Sequence, residues 1–190
     1  MLVGGVVQAL QPPAVPPDVG SVPSASLPER PAVAEITTLR RGPAVPPTLV
    51  TLPGGKARVV HAGVSRGALE VPENVDQVGW WVDGAGVTST SGTIVVAGHV
   101  DSARQGLGAF ARLRNLSPGS RVLLRSASGA ARTFVVSGRR SYAKSSGLPS
   151  SVFDQSSALR LVLITCTGRF DPVKRSYEDN LVVYAVPVPA

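Results

Sequence analysis

The chain has a single cysteine, Cys166, so no disulfide can close within it. Its two histidines, His61 and His99, add too few soft ligands for a zinc site of Cys and His. No metal and no cofactor are expected, and no glycine-rich phosphate loop is present. Aromatic residues are 5% and charged residues 16% of the 190, the latter below the ~25% of an average soluble domain. Lysine is also scarce: Lys56, Lys144 and Lys174 are the only three among 19 basic residues. The arginines are scattered, with Arg40-Arg41 and Arg139-Arg140 as the adjacent pairs. A nucleic-acid surface wants a basic stripe interleaved with stacking rings, and this composition provides neither. The net charge of +7 fits weak attraction to an anionic cell wall or lipid surface, or a plain solvated exterior.

Long apolar runs are missing too. Leu2 to Leu10 covers nine residues, against roughly 18 needed to cross a bilayer. It lacks the basic start and small-residue cleavage site of a signal peptide. It reads as a disordered terminus or as the trailing end of an anchor.

Proline and glycine are plentiful, at 17 and 20 residues. Most prolines fall in residues 11–47, a stretch without apolar period that reads as a semi-rigid spacer. Two regions follow: a Pro-rich segment over 1–47 and a folded domain over 48–190. In the second, short β-branched runs recur between turn signals: 49–52, 58–61, 68–71, 93–97, 121–124, 133–136, 159–165 and 181–185. Eight such runs with Pro-Gly and Ser-Gly punctuation predict a mainly β barrel or sandwich. Phe110, Leu113 and Leu116 share one face of a short helix over 108–116, and residues 150–156 form a turn of helix. Long helices between strands, which a parallel α/β sheet requires, are absent from the pattern.

Two apolar runs end in reactive side chains. Val95-Val96-Ala97-Gly98 leads into His99, with Asp101 placed to orient the imidazole or cap a turn. Leu161 to Thr165 leads into Cys166, followed by Gly168. A strand end holds a group rigidly yet lets it face a cleft. If both ends reach one rim, an imidazolium favours the thiolate and can protonate a leaving amine. The competing reading is a buried, inert cysteine and a hydrogen-bonded structural histidine. His61, without ligand partners in sequence, reads as a strand residue. The loop after Cys166 carries Arg169, Lys174 and Arg175, any of which can serve an oxyanion or simply solvate a hairpin.

The segments Ala97-Gly98-His99-Val100-Asp101-Ser102, Gly106 to Leu113, Leu161 to Cys166 and Tyr177-Glu178-Asp179-Asn180-Leu181-Val182-Val183-Tyr184-Ala185, with Gly79-Trp80-Trp81, resemble the sortase family, and specifically its actinobacterial class F. The resemblance covers about residues 48 to 187. It implies a closed eight-stranded sortase-type β-barrel with short helices. It also implies an enzyme anchored on the outer face of the cell membrane, a monomer whose anchor is missing here. Such an enzyme cleaves a Leu-Pro-x-Thr-Gly sorting signal and passes the acyl group to an amine on a pilin or a peptidoglycan precursor. His99 and Cys166 carry over as catalytic residues. Arg175 is chosen for the family arginine, ahead of Arg169 and Arg160, because Asp179 and Asn180 occupy its usual register. Thr165, Asp101, Phe110 and Asn180 are expected at the substrate. The rival assignments are an L,D-transpeptidase, whose Ser-His-Gly-Cys signature is absent around Cys166, and a non-catalytic β-barrel adhesion module.

Overall fold

Residues 15–23, 44–65 and 68–189 are described by the structure, a computed structural model of the chain. The barrel strands are β1 (Pro47–Leu52), β2 (Gly55–Ala62), β3 (Gln77–Trp81), β4 (Thr93–Gly98), β5 (Arg121–Ser126), β6 (Ala131–Ala143), β7 (Arg160–Asp171) and β8 (Ser176–Pro187). Hydrogen bonding runs β5-β1-β2-β3-β4-β7-β8-β6, and β6 returns to β5 to close the barrel. Two contacts are parallel, β2 with β3 and β4 with β7; the others are antiparallel.

Seven of the eight expected runs are barrel strands. The run at 68–71 is not: Ala68–Leu69 pairs only with Val64–Ser65, in a small side ladder. Its place is taken by β3, whose Gln77-Val78-Gly79-Trp80-Trp81 carries one β-branched residue and a glycine and so gives little strand signal. The helix expected at 108–116 is a 3-10 helix, Ala109–Asn115. The three-residue spacing of Phe110, Leu113 and Leu116 is the 3-10 period itself, and all three are buried. Ser150–Phe153 forms the second expected turn, and Lys144–Ser146 forms one that the sequence did not suggest.

Residues 94–97 of β4, 161–164 of β7 and 181–185 of β8 are apolar without interruption because both their faces are covered. Ile94, Val96, Leu161, Leu163, Leu181 and Val183 point into the barrel core beside Phe110, Phe134 and Trp80. Val95, Ala97, Val162, Ile164, Val182 and Tyr184 point outward, under Val152, Phe153 and Leu148. Packing on two sides fixes these strands firmly, and their shared end carries the chemistry.

The expected spacer is corrected over residues 15–23. There the chain docks on the barrel, with Val19–Gly20 pairing antiparallel to Arg139 and Gly138 of β6. Gly20 has φ +68, and a Cβ there would lie 2.2 Å from the Ser137 carbonyl, so this docking requires glycine. The buried Arg139 guanidinium donates to the carbonyls of Arg114 and Leu116 and, at 3.1 Å, to that of Pro17. Burial lowers its pKa. The remaining part of the Pro-rich expectation, residues 1–14 and 24–43, lies outside the described residues. Among described residues, no helix is long and apolar enough to cross a membrane.

Candidate active site

β4 and β7 run parallel in register, Val96 against Leu163 and Ala97 against Ile164. Continuing that register by two steps sets Gly98 beside Thr165 and His99 beside Cys166. The Thr165 hydroxyl makes the first of these contacts directly, donating to the Gly98 carbonyl at 2.8 Å. The two strand ends are therefore tied together one residue before their reactive side chains.

The His99 backbone is held from the other side by the 3-10 helix. Gly108 N–H donates to the Val100 carbonyl at 2.9 Å, and Phe110 N–H donates to the His99 carbonyl at 3.2 Å. Gly108 has room for nothing larger: a Cβ there would lie 2.3 Å from the His99 carbonyl oxygen. Phe110, expected at the substrate, is fully buried in the core and supports this turn from beneath.

Cys166 is half-buried and lines a cleft of about 760 Å³. Thr165, Thr167 and Gly168 of β7 share this wall, Val100 and Asp101 follow His99, and Gly108, Arg112 and Arg114 face them. His99 is half-exposed, between Gly98 and the cleft-lining Val100. A buried, inert thiol, the competing expectation, does not match this position.

Asp101 accepts a hydrogen bond from the Tyr177 hydroxyl at 2.5 Å. Burial first, then this bond and the charge of Asp101, push the Tyr177 pKa up to about 12. Tyr177 thus stays a neutral donor at any working pH and fixes the Asp101 carboxylate on the cleft wall. Because the folded-state value lies above the ordinary 10.0, the stabilisation is complete below pH 10 and disappears as pH rises through about 12. Tyr177→Phe is expected to cost about 1.5 kcal/mol near neutral pH, the low end for a bond to a charged acceptor. The gap from wild type should narrow as pH rises from 10 toward 12, which denaturant melts across that range would check.

The arginines expected near the sulfur lie elsewhere. Arg175 stands exposed in the β7–β8 turn, at φ 50, outside the cleft lining. Arg169 is exposed and donates to Glu178 at 2.7 Å. Arg160 is buried at the opposite end of β7, bonded to Thr93 and Ser151 and 3.9 Å from Asp154. Asn180 pairs with Cys166 across β7–β8 but does not line the cleft. The side chain that reaches the sulfur is Lys144, whose Nζ lies 3.4 Å from Cys166 Sγ and 2.8 Å from Ser176 Oγ. No motif marks Lys144 or Arg114 in the sequence, and Tyr177 stands in a motif segment that gave it no role. Among described residues, no cluster of His, Cys, Asp or Glu could hold a metal ion.

Residues 51–188 match the sortase domain. The chain belongs to the sortase family. Its relatives are cysteine transpeptidases that act at the cell surface, and Cys166 supplies the cysteine here. The fold is also that of solved sortases. Sortase C-1 from Actinomyces oris superposes with TM-score 0.59 at 17% identity, covering 76% of each chain. Sortase C1 of Streptococcus agalactiae, in complex with MTSET, gives 0.56 at 18% identity, over 75% of this sortase and 68% of that chain. Sortase A from Corynebacterium diphtheriae gives 0.57 at 17% identity, over 76% of this sortase and 62% of that chain. This sortase thus spans from about three fifths to three quarters of these chains. No curated protein matches the sequence.

Proposed function

We propose that this sortase acts by acyl transfer through Cys166, with His99 as its proton carrier. The Cys166 thiolate attacks the carbonyl of a sorting-signal peptide bond, and His99 gives its proton to the departing amine. A thioester remains on Cys166. An incoming primary amine then attacks that carbonyl, His99 takes its proton, and the thiolate is released. Substrate and acceptor follow from the motifs around His99, Cys166 and Tyr177: a Leu-Pro-x-Thr-Gly signal and an amine of a pilin or peptidoglycan precursor. The same motifs support a class F assignment, a catalytic domain over 48–190, and a monomer anchored at the outer membrane face.

The observation that supports this best is the half-exposed thiol at the end of β7, lining a large cleft beside the register position of His99. Thr165 and Asp101 also line that wall. Mass spectrometry of enzyme, a Leu-Pro-x-Thr-Gly peptide and a glycine-terminated amine is the test. The expected products are a thioester on Cys166 and the peptide joined to the amine after Thr. Release of unmodified peptide only, with no thioester trapped at low pH, would count against transfer.

A further inference from the structure

The resemblance calls for an arginine beside the nucleophile, yet the three candidate arginines are exposed, paired with Glu178, or at the wrong end of β7. We propose that Lys144 is the cation of this site and that its ammonium holds the Cys166 sulfur as thiolate. This rests on Cys166 being the nucleophile.

The fold brings Lys144 there through three adjacent strands. Tyr142 of β6 pairs with Asn180 of β8, and Asn180 pairs with Cys166 of β7. β6 ends at Ala143, and the chain turns at once into the Lys144–Ser146 3-10 helix. Lys144 thus leaves the rim two residues beyond the row that contains the nucleophile. Its ammonium contacts Sγ at 3.4 Å, within range of a hydrogen bond to sulfur. Ser176 Oγ, at 2.8 Å, holds the same nitrogen and aims it.

The half-buried setting matters. Lys144 has no carboxylate within ion-pair distance among the described residues, so its charge is not already neutralised. A cation next to a thiol favours the thiolate, and less water around the pair strengthens the attraction. Lys144 also lines a second cavity, of about 540 Å³, which shares Tyr177 with the cleft. The charged groups facing it there are Asp171 of β7, Glu178 and Asp179 of β8, and Lys174 of the turn. On the cleft side, the charged and titratable groups that share the lining with Cys166 are Asp101, Tyr177, Arg112, Arg114, Lys56 and Asp76. Asp171 is engaged by Lys174 at 3.6 Å and Glu178 by Arg169, and Asp179 forms no ion pair with Lys144 among the described residues.

The test is the rate at which iodoacetamide alkylates Cys166, followed against pH in the full chain. Lys144→Met keeps the length of the side chain and removes the charge. It should slow alkylation about tenfold at pH 7, with the gap closing toward about pH 9, where thiols ionise unaided. Turnover of the sorting peptide should fall at least as far, and Lys144→Arg should recover part of both. Ser176→Ala, which frees the ammonium without touching the sulfur, should give a smaller loss of the same kind and carries the test if Lys144→Met does not fold. Superimposable alkylation profiles for wild type, Lys144→Met and Ser176→Ala would overturn the proposal. So would slower turnover with unchanged alkylation, because the ammonium would then serve the tetrahedral oxyanion instead. Turnover surviving in Cys166→Ala would instead overturn the acyl-transfer reading itself.

Discussion

Cys166→Ala is expected to leave cleavage of a fluorogenic Leu-Pro-x-Thr-Gly peptide below detection, a loss of more than about a thousandfold. The reasoning is chemical. The thioester needs a sulfur, and the chain has no other cysteine. The fold should not suffer, because the side chain is small, half-buried and, among the described residues, hydrogen-bonded only to Lys144. The variant should therefore melt close to wild type and still bind peptide. His99→Ala should lose about a hundred- to ten-thousandfold, the usual worth of a positioned general acid and base. It should do so while Cys166 alkylation falls less, since Lys144 still faces the sulfur. Any turnover above background in Cys166→Ala would remove the thiol mechanism altogether.

Gly108→Ala carries the second large effect, through geometry alone. The new methyl would lie 2.3 Å from the His99 carbonyl oxygen and 2.8 Å from its carbonyl carbon. Neither atom can swing aside as a side chain would, so the His99 turn or the start of the 3-10 helix must shift. The turn is pinned by two hydrogen bonds to that same helix, Gly108 N–H to Val100 and Phe110 N–H to His99. A displacement near 1 Å at a catalytic group costs about a hundredfold in rate. We expect kcat/KM to drop by that order, while the barrel stays folded because the three atoms nearest the methyl all belong to His99, which is outside the core cluster. Gly108 itself has φ −79, so the effect would not come from backbone strain. A Gly108→Ala enzyme with wild-type kcat/KM would show that the His99 backbone tolerates movement.

The sequence carried the fold through its most regular parts. The apolar runs within 93–97 and 159–165 predicted β4 and β7, because strand stretches covered on both faces are apolar on both. The run at 68–71 misled because local β-propensity cannot tell a barrel strand from a two-residue ladder. β3 was missed for the opposite reason: Gly79 breaks its short apolar run, and its place in the barrel is set by Val78 and Trp80 packing into the core.

The site was legible only where chemistry and strand end coincide. His99, Cys166, Thr165 and Asp101 could be named because each lies at or beside an apolar run. Phe110 was placed at the substrate from its motif, whereas burial makes it a prop for the His99 turn. The cation was sought downstream of Cys166 in the same hairpin. The ammonium that reaches the sulfur lies just past the end of β6, 22 residues upstream, because a closed barrel makes β6 a neighbour of β8. No sequence spacing reports such a juxtaposition.

The docked segment at 15–23 bears on handling of the protein. β6 is longer than its partner β5, so the stretch around Ser137 to Arg139 would otherwise present bare backbone donors and acceptors. Ser21 N–H fills one of these at 2.8 Å, and Arg139 and Arg140 clamp the covering peptide by its carbonyls. Trimming the chain to residue 44 would strip that cover and leave an adhesive seam on an otherwise sealed cylinder. Preparations that begin beyond the seam should self-associate at concentrations where the longer chain stays dispersed.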